Sequence, residues 1–590
     1  MPSSTVQPNG WAALRLPSEN LRVLRVTPNT TISLGKYGSF PSNLLIERPF
    51  HLTYEVQEKR EGETFSRLRI VPGTELNADH LAETSDEAAD GSGGDDVIVP
   101  AKGEELALVD ESGAVVARSK RQVIDESARQ TLTPAEIEEL KRKGAAAGKE
   151  LIAKLMLSHT AIDQKTAFSL AKYKLLKEKK FLRRFTVLPV DVSLLAQWML
   201  EDRDAAKILE MRHEAMALVG CWADVHFGGL PAEAVSEPHG GRWLAVDDTG
   251  GLLVAAMAER MGILYRHEDE DEDEGGEDQQ QQQTGPGPVP RQEPGTEASA
   301  ARAPAEGANE NGDDGEQVGP SPPSSPRESR KRPRRDDLDD HYALTNTITL
   351  IHANSQPNLS LLRYFNHDAS DPNPPQPHHP LFTHLLPISW LQLVSPDQDP
   401  VCGEEPAAVP PDELATWKTN RRGNYHRKRR RWARTRQIVD NTLRGGFSGL
   451  AVASTMDPVS VLRHALPLLA GGSPVAIYSP NIEPLAQLAD CFSIARRAAW
   501  IASPPPEAVG KSVAELERWA GTAEFPINPT LVLGAAVQTS RAKKWQVLPK
   551  RTHPFMTARG GSEGYVFTGW RAIPAEGRVS ARGRFQKKRA

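Results

Sequence analysis

Two periodicities divide this chain. Between residues 11 and 75, short apolar and β-branched runs recur at close intervals: Leu21–Val26, Thr30–Leu34, His51–Val56 and Leu68–Val71, with turn residues such as Lys36 to Ser39 between them. Runs of that length and composition predict strands. From residue 186 the spacing lengthens. Trp243–Val246, Thr347–Ile351, Gly449–Ala453, Val475–Tyr478, Thr530–Leu533 and Tyr565–Thr568 read as buried strands. Helical stretches such as Pro458–Leu469 and Glu483–Ala498 lie between several of them. That alternation predicts an α/β fold with a mostly parallel sheet. The last strand runs lack a clear intervening helix, which predicts an antiparallel pair at one edge. Between the two regions, Thr133 with Pro134 and Glu136 has the form of a helix start, and a helical stretch broken near Gly144 and Gly148 runs to about Lys180.

Composition places the boundaries. Residues 83–112 are acidic and Gly/Ser-rich and read as a mobile loop. Residues 266–340 hold an acidic run, five consecutive glutamines and Pro/Gly/Glu/Ser-rich sequence, too few apolar groups to offset the entropy of ordering. The predicted organisation is a β-rich domain over 1–130 and a basic helical connector over 131–185. An α/β domain over 186–265 and 341–577 follows, split by the 266–340 insert, and the chain ends in a basic tail over 578–590. Cys221, Cys402 and Cys491 lie far apart, which gives neither a disulfide framework nor a metal-ligand spacing. With no signal-peptide core and no membrane-length apolar run, the expectation is a soluble intracellular protein.

The net charge of −6 conceals strong local fields. Residues 268–278 hold nine acids and no base, and without them the remainder is +3. Trp417 to Arg436 holds ten Lys/Arg and no acid, with Trp417, Tyr425 and Trp432 interleaved. Basic side chains neutralise phosphates and aromatic faces stack on bases, so Lys418, Arg421, Arg422, Arg427, Lys428, Arg429, Arg430, Arg431 and Arg434 are candidate RNA contacts. The rival reading is an acidic protein partner or the chain's own acidic insert. A second basic cluster spans Lys165 to Arg184, where Lys165, Lys172 and Lys179 recur every seven residues. A simple basic surface has the same pattern. Lys331 to Arg335 fits a nuclear import signal, and equally a solvated patch balancing nearby acids.

One loop carries a trace of cofactor chemistry. The run Trp243–Val246 is followed by Asp247-Asp248-Thr249-Gly250-Gly251 and then by an apolar helical stretch through Leu252, Val254, Ala255 and Ala258. Strand, glycine turn and helix is where doubly wound proteins hold a nucleotide cofactor. S-adenosylmethionine enzymes show acid-x-Gly-x-Gly there. Here the first glycine position is Asp248, whose side chain crowds the backbone's approach to a ligand. A plain packing turn has the same signature.

These residues, with eight further blocks, resemble the non-catalytic subunit family of the eukaryotic, here fungal, tRNA (adenine(58)-N(1))-methyltransferase. The blocks are Thr30–Phe40, Arg121–Asp125 with Gln130–Thr133, Gly148–Ile152, Lys165–Phe168 with Lys172 and Tyr173, and Asp248–Gly251. Asn354–Asn358, Gly423–His426, Tyr478–Glu483, and Arg551–Pro554 with Gly560 and Gly561 complete them. The resemblance implies a barrel-like N-terminal domain and a Rossmann-like methyltransferase domain with a degenerate cofactor site. It implies a two-plus-two assembly with a catalytic subunit that holds S-adenosylmethionine and methylates N1 of an adenine in the tRNA T-loop, and a nuclear location. It also implies tRNA contact by Arg121, Gln122, Arg129, Gln130, Lys165, Thr166, Lys172 and Tyr173, whereas Lys179 and Lys180 are candidate RNA contacts on the charge of the second cluster alone. Catalytic members keep an acid at the end of the second strand and an Asp-x-Pro-x-Pro-Trp motif at the fourth. Here His352 and Ser454 align with those acids, Asp457 is three positions late, and no Trp follows. The resemblance thus implies a subunit with no catalytic residue, no cofactor and no metal of its own. The alternatives are an active methyltransferase with an unusual loop, and a stand-alone RNA-binding translation factor.

Overall fold

The computed structural model describes residues 3–57, 63, 65–76, 99–100, 105–109, 115–120, 151–156, 167–227, 241–265, 346–368, 379–542, 545–548, 551–554 and 562–574. The N-terminal strands are β1 (Trp11–Arg15), β2 (Leu21–Arg25), β3 (Thr31–Ser33), β4 (Ser39–Pro41), β5 (Thr53–Val56) and β6 (Leu68–Ile70). Next come β7 (Val99–Pro100), β8 (Glu105–Val109) and β9 (Val115–Lys120), then helix α1 (Ala167–Phe181) and β10 (Arg184–Pro189). An antiparallel five-stranded sheet runs β2-β1-β10-β5-β6. Its central strand β10 returns from beyond residue 183, a stretch that the apolar pattern assigns to the start of the α/β unit. The β3–β4 hairpin covers one face, where Phe40 stacks on Phe185 with ring centroids 5.1 Å apart. Ala12, Leu14, Tyr54, Val56 and Val187 complete that core, so the expected β-rich N-terminal domain is present. The 83–112 stretch is not all loop: β7, β8 and β9 pair antiparallel.

The remaining elements are α2 (Val192–Asp202), α3 (His213–Trp222), β11 (Arg242–Asp247), α4 (Leu252–Met261), β12 (Thr347–His352), β13 (Leu385–Ser389), α5 (Trp390–Val394), α6 (Pro411–Thr416) and α7 (Thr419–Leu443). After them come β14 (Gly449–Ala453), α8 (Pro458–Ala465), β15 (Pro474–Ser479), α9 (Glu483–Cys491), α10 (Ile494–Ala502), β16 (Val532–Gln538), β17 (Trp545–Leu548), β18 (Arg551–Pro554) and β19 (Tyr565–Arg571). Seven strands form one sheet in the order β13-β12-β11-β14-β15-β19-β16. The first five are parallel, and β19 runs antiparallel between β15 and β16. Numbered by their sequence order within the sheet this is 3-2-1-4-5-7-6, the predicted Rossmann-like arrangement with its antiparallel end.

Alternate residues of each central strand feed two separate cores. Trp243, Ala245, Leu350 and Ala451 face α2, α3 and α4, whereas Leu244, Val246, Leu450 and Ile477 face α8 and α9. Both faces are covered, so these strands are continuously apolar rather than alternating, which is what made them legible. The order in which strands join the sheet reverses between β11 and β14. That switch point is where doubly wound sheets bind ligands, beyond the carboxyl ends of the strands.

The segment after β12 buries two histidines whose rings lie 5.1 Å apart, His367 and His379. His379 Nδ1 accepts from Leu381 N at 3.1 Å while Nε2 lies 3.0 Å from the Phe365 carbonyl, a pattern only the neutral ring satisfies. Burial holds both rings down to about 4, with each proton on His367 further opposing one on His379. A depressed histidine binds its proton more readily in the unfolded chain, so its contribution is complete above about pH 6.5 and is lost as pH falls towards 4. Urea midpoints at pH 7, 6, 5 and 4.5 should therefore fall across that window, by at most roughly 3 kcal/mol per ring. His367→Phe should shrink the fall; an unchanged pH profile would remove the pair from the account.

Candidate nucleic-acid interface and the closed cofactor loop

At the end of β11 the chain uses its own carboxylates where a cofactor loop would offer backbone. Asp247 is buried. Its Oδ1 accepts from Thr249 N at 2.6 Å and Thr249 Oγ1 at 2.5 Å, and its Oδ2 accepts from Val254 N at 3.0 Å. Thr249 Oγ1 in turn accepts from Leu253 N at 3.1 Å. Two of the free N–H groups at the start of α4, a ready anion site in nucleotide-binding folds, are thus engaged internally. Burial raises the Asp247 pKa against the pull of those donors.

Gly250 and Gly251 sit at φ +73° and +92°, a conformation that favours glycine. The close approach they permit is made by the chain itself. Leu361 N donates to the Gly250 carbonyl at 3.0 Å, and a Cβ on Gly251 would stand 3.3 Å from Leu359 Cα. Asp248, read from sequence as an obstruction, has a partner across the switch point. Its Oδ2 accepts from Ser454 Oγ at 2.5 Å and from Thr455 N at 3.1 Å, and its own N–H donates to the Ala453 carbonyl at 2.8 Å. Ser454 follows β14 directly, at the aligned position. Asp457 is the N-cap of α8 and accepts from Ser460 N, which accounts for its late position. His352 ends β12, its Nδ1 2.7 Å from the Asn354 carbonyl and its pKa lowered by burial. At this site the Leu253 and Val254 donors are engaged, the glycine surface is covered by Leu359 to Leu362, and no acid ends β12.

The basic run Trp417–Arg436 lies almost wholly on α7, a 25-residue helix whose only buried side chains are Val439 and Thr442. Its C-terminal half packs at the β13 end of the sheet against α5. Sequence treats its arginines alike; the fold sorts them. Arg429 bonds Tyr425 Oη at 3.2 Å and pairs with Glu405 at 3.3 Å. Arg434 donates to the Phe382 carbonyl at 2.9 Å, and Arg436 pairs with Asp440 at 3.1 Å along the helix and with Asp397 at 3.7 Å beyond it. Those three anchor the helix. Lys418, Arg422, Arg427, Lys428, Arg430 and Arg431 are exposed, and their side chains make no hydrogen bond or ion pair among the described residues. Arg427, Arg431 and Arg434 follow i, i+4, i+7 spacing and share one side. Arg421 lies over the Trp417 ring at 3.8 Å, a contact that sequence reading missed, although Trp four residues before Arg on a helix start is the signal for it.

The second cluster is helical, as expected: α1 carries Lys172 and Lys180, both exposed, and Tyr173, half-buried with Lys177 Nζ 4.8 Å from its ring. Lys179 is on α1, but its side chain lies outside the described residues, as do Arg121, Gln122, Arg129, Gln130, Lys165 and Thr166 entirely. α1 runs beside β17, in the hairpin that connects β16 to β19. The fold therefore does not merge the two basic helices into one patch, since α7 flanks the opposite end of a seven-stranded sheet roughly 30 Å across.

The Gcd10p family model matches residues 5–418, most of the chain and up to the foot of α7. The chain belongs to the Gcd10p family. It is 44% identical, over 99% of its length and 95% of the relative's, to the "tRNA (adenine(58)-N(1))-methyltransferase non-catalytic subunit trm6" of Aspergillus oryzae. The Aspergillus fumigatus relative of the same name is 43% identical over the same shares. The Schizosaccharomyces pombe one is 24% identical over 100% of this chain and 96% of its own. Membership of the family agrees with the resemblance carried by the sequence blocks. A solved SAM-dependent O-methyltransferase of Thermotoga maritima is similar at TM-score 0.35 and 8% identity over 97% of both chains; the strand order, not that likeness, carries the fold.

The Asp248–Ser454 contact makes a sharp expectation. Ser454→Asp brings a second carboxylate within hydrogen-bond reach of the first and should cost about 2 kcal/mol in thermal unfolding, with Asp248→Asn in the same chain recovering most of it. Additive losses would mean that the two side chains do not meet in solution.

Proposed function

We propose that this chain is the non-catalytic subunit of a tRNA (adenine(58)-N(1))-methyltransferase. It binds tRNA and scaffolds a related catalytic subunit that holds S-adenosylmethionine; it holds no cofactor itself. The observation that carries this reading is the self-satisfied loop at the switch point, in a chain 44% identical to a relative of that name. An active methyltransferase would need the Leu253 and Val254 N–H groups and the face of Gly251 free, and here Thr249, Asp247 and Leu359 take them.

A partnerless RNA-binding factor is disfavoured by the far end of the sheet. The edge strand β16 reads Val-Leu-Gly-Ala-Ala-Val-Gln, with no charge to deter pairing. Leu533 and Trp570 beside it are exposed, as are Trp545 and Val547 on the hairpin. An uncharged edge with such neighbours calls for a covering subunit. The assembly is a two-plus-two heterotetramer acting in the nucleus, with Lys331 to Arg335 as the import signal. α7 contributes phosphate neutralisation, and α1 supports it from the other end of the sheet.

Methyl transfer from labelled S-adenosylmethionine to unmodified tRNA is expected only from the mixture of this chain and its partner. Calorimetry should find no saturable cofactor binding by this chain alone; saturable binding or activity from it alone would overturn the reading. In the complex, replacing Arg427, Lys428, Arg430 and Arg431 by Ala should weaken tRNA binding and flatten the slope of log K against log salt by about 3. An unchanged slope would remove α7 from the RNA contact.

A further inference from the structure

We propose that the Arg421–Trp417 stack at the outer end of α7 is a binding site for an unpaired nucleobase, distinct from the phosphate-binding side of the same helix. This rests on the RNA reading of α7 and deepens it. The Arg421 guanidinium lies 3.8 Å over the Trp417 ring, is exposed, and makes no hydrogen bond or ion pair among the described residues. A guanidinium is flat and weakly hydrated, so one side can rest on an indole while the other accepts a second π-face. The support beneath it is rigid. Trp417 meets Tyr425 edge to face at 5.8 Å. Tyr425 Oη is held by Val409 N at 3.2 Å, by the Ala407 carbonyl at 3.3 Å and by Arg429 at 3.2 Å. Two unpaired cations, Lys418 and Arg422, flank the stack.

The rest of α7 is built differently. Arg427, Lys428, Arg430 and Arg431 have no aromatic neighbour among the described ring contacts and offer charge alone. Charge without a flat face neutralises phosphates regardless of base pairing, whereas a paired base inside a duplex presents no face to Arg421. The helix therefore combines a backbone-binding side with a terminal platform some 10–20 Å away along its axis, which selects RNA with a splayed or single-stranded nucleotide next to a stem.

The test uses the two-subunit complex and two RNA probes. One is a blunt duplex; the other is the same stem with an unpaired overhang carrying 2-aminopurine. Arg421→Ala should weaken binding of the overhang probe by about tenfold and relieve the fluorescence quenching of its 2-aminopurine, while leaving the blunt duplex within about twofold. Arg421→Lys keeps the charge but not the flat face and should behave like the Ala variant. Arg427→Ala with Arg431→Ala should weaken both probes alike and flatten their salt dependence by about 1.5. If Arg421→Lys binds like the parent, or Arg421→Ala weakens the blunt duplex equally, Arg421 is one more phosphate contact and the stacking site falls while the RNA reading stands. If neither variant alters either probe, the RNA reading of α7 falls and the platform with it.

Discussion

Two adjacent carboxylates hold the centre of the large sheet, and most of what the molecule can and cannot do follows from how they are used. Asp247 turns inward and satisfies the start of α4, with Thr249 as its relay to Leu253. Asp248 turns sideways and ties the end of β11 to Ser454 and Thr455 beyond β14. A doubly wound sheet leaves a crevice at this point because its two halves diverge there. In a cofactor-binding member the unsatisfied donors of the loop face that crevice. Here the Asp248, Thr249, Leu253 and Val254 donors have internal acceptors, and Leu359 to Leu362 pack over the glycine turn. Buried carboxylates with several donors are stable only when every bond is made, which makes the closure cooperative rather than incidental.

The positive charge is concentrated at the β13 end of the sheet. On α7, nine Lys/Arg face one Asp, so like charges recur at helical neighbours and repel. The helix is held in place by the bonds of Arg429 to Glu405, Arg434 to the Phe382 carbonyl and Arg436 to Asp397, and by Val439 and Thr442 in the core. The remaining cations have nothing of opposite sign beside them among the described residues. A polyanion on that side would relieve the repulsion and release its own counterions, so the proposed RNA contact would also steady the helix. The chain thus separates the two tasks that a methyltransferase usually joins. On the proposed function, the switch point is left without chemistry and recognition falls to the exposed basic helices.

What was legible in the sequence was what local pattern encodes. Gly449–Ala453 and its neighbours are buried on both faces, so continuous apolar runs marked them, and their alternation with helices marked the parallel sheet. The antiparallel end followed from the missing helix before Tyr565. The α7 charge run was conspicuous, but its helical form was not assigned, because nine cations and a glycine argue against a helix unless tertiary anchors are known. Arg184–Pro189 was read into the wrong unit, since a lone strand does not announce the sheet it will join. The continuous helix read over Glu483–Ala498 divides at Ser493, which caps α10 by accepting from Arg496 N.

By itself the sequence determined the fold class, the family, and the absence of acids where His352 and Ser454 stand, because those depend on residue identity and period. Only the tertiary structure decided that Asp248 is a ligand to β14 rather than an obstruction, which arginines of α7 are anchors, and that Arg421 rests on Trp417. The physical reason is range. Period and composition are properties of neighbours along the chain, whereas the bond from Asp248 to Ser454 spans 206 residues and exists only once parallel pairing of β11 with β14 has brought their ends together.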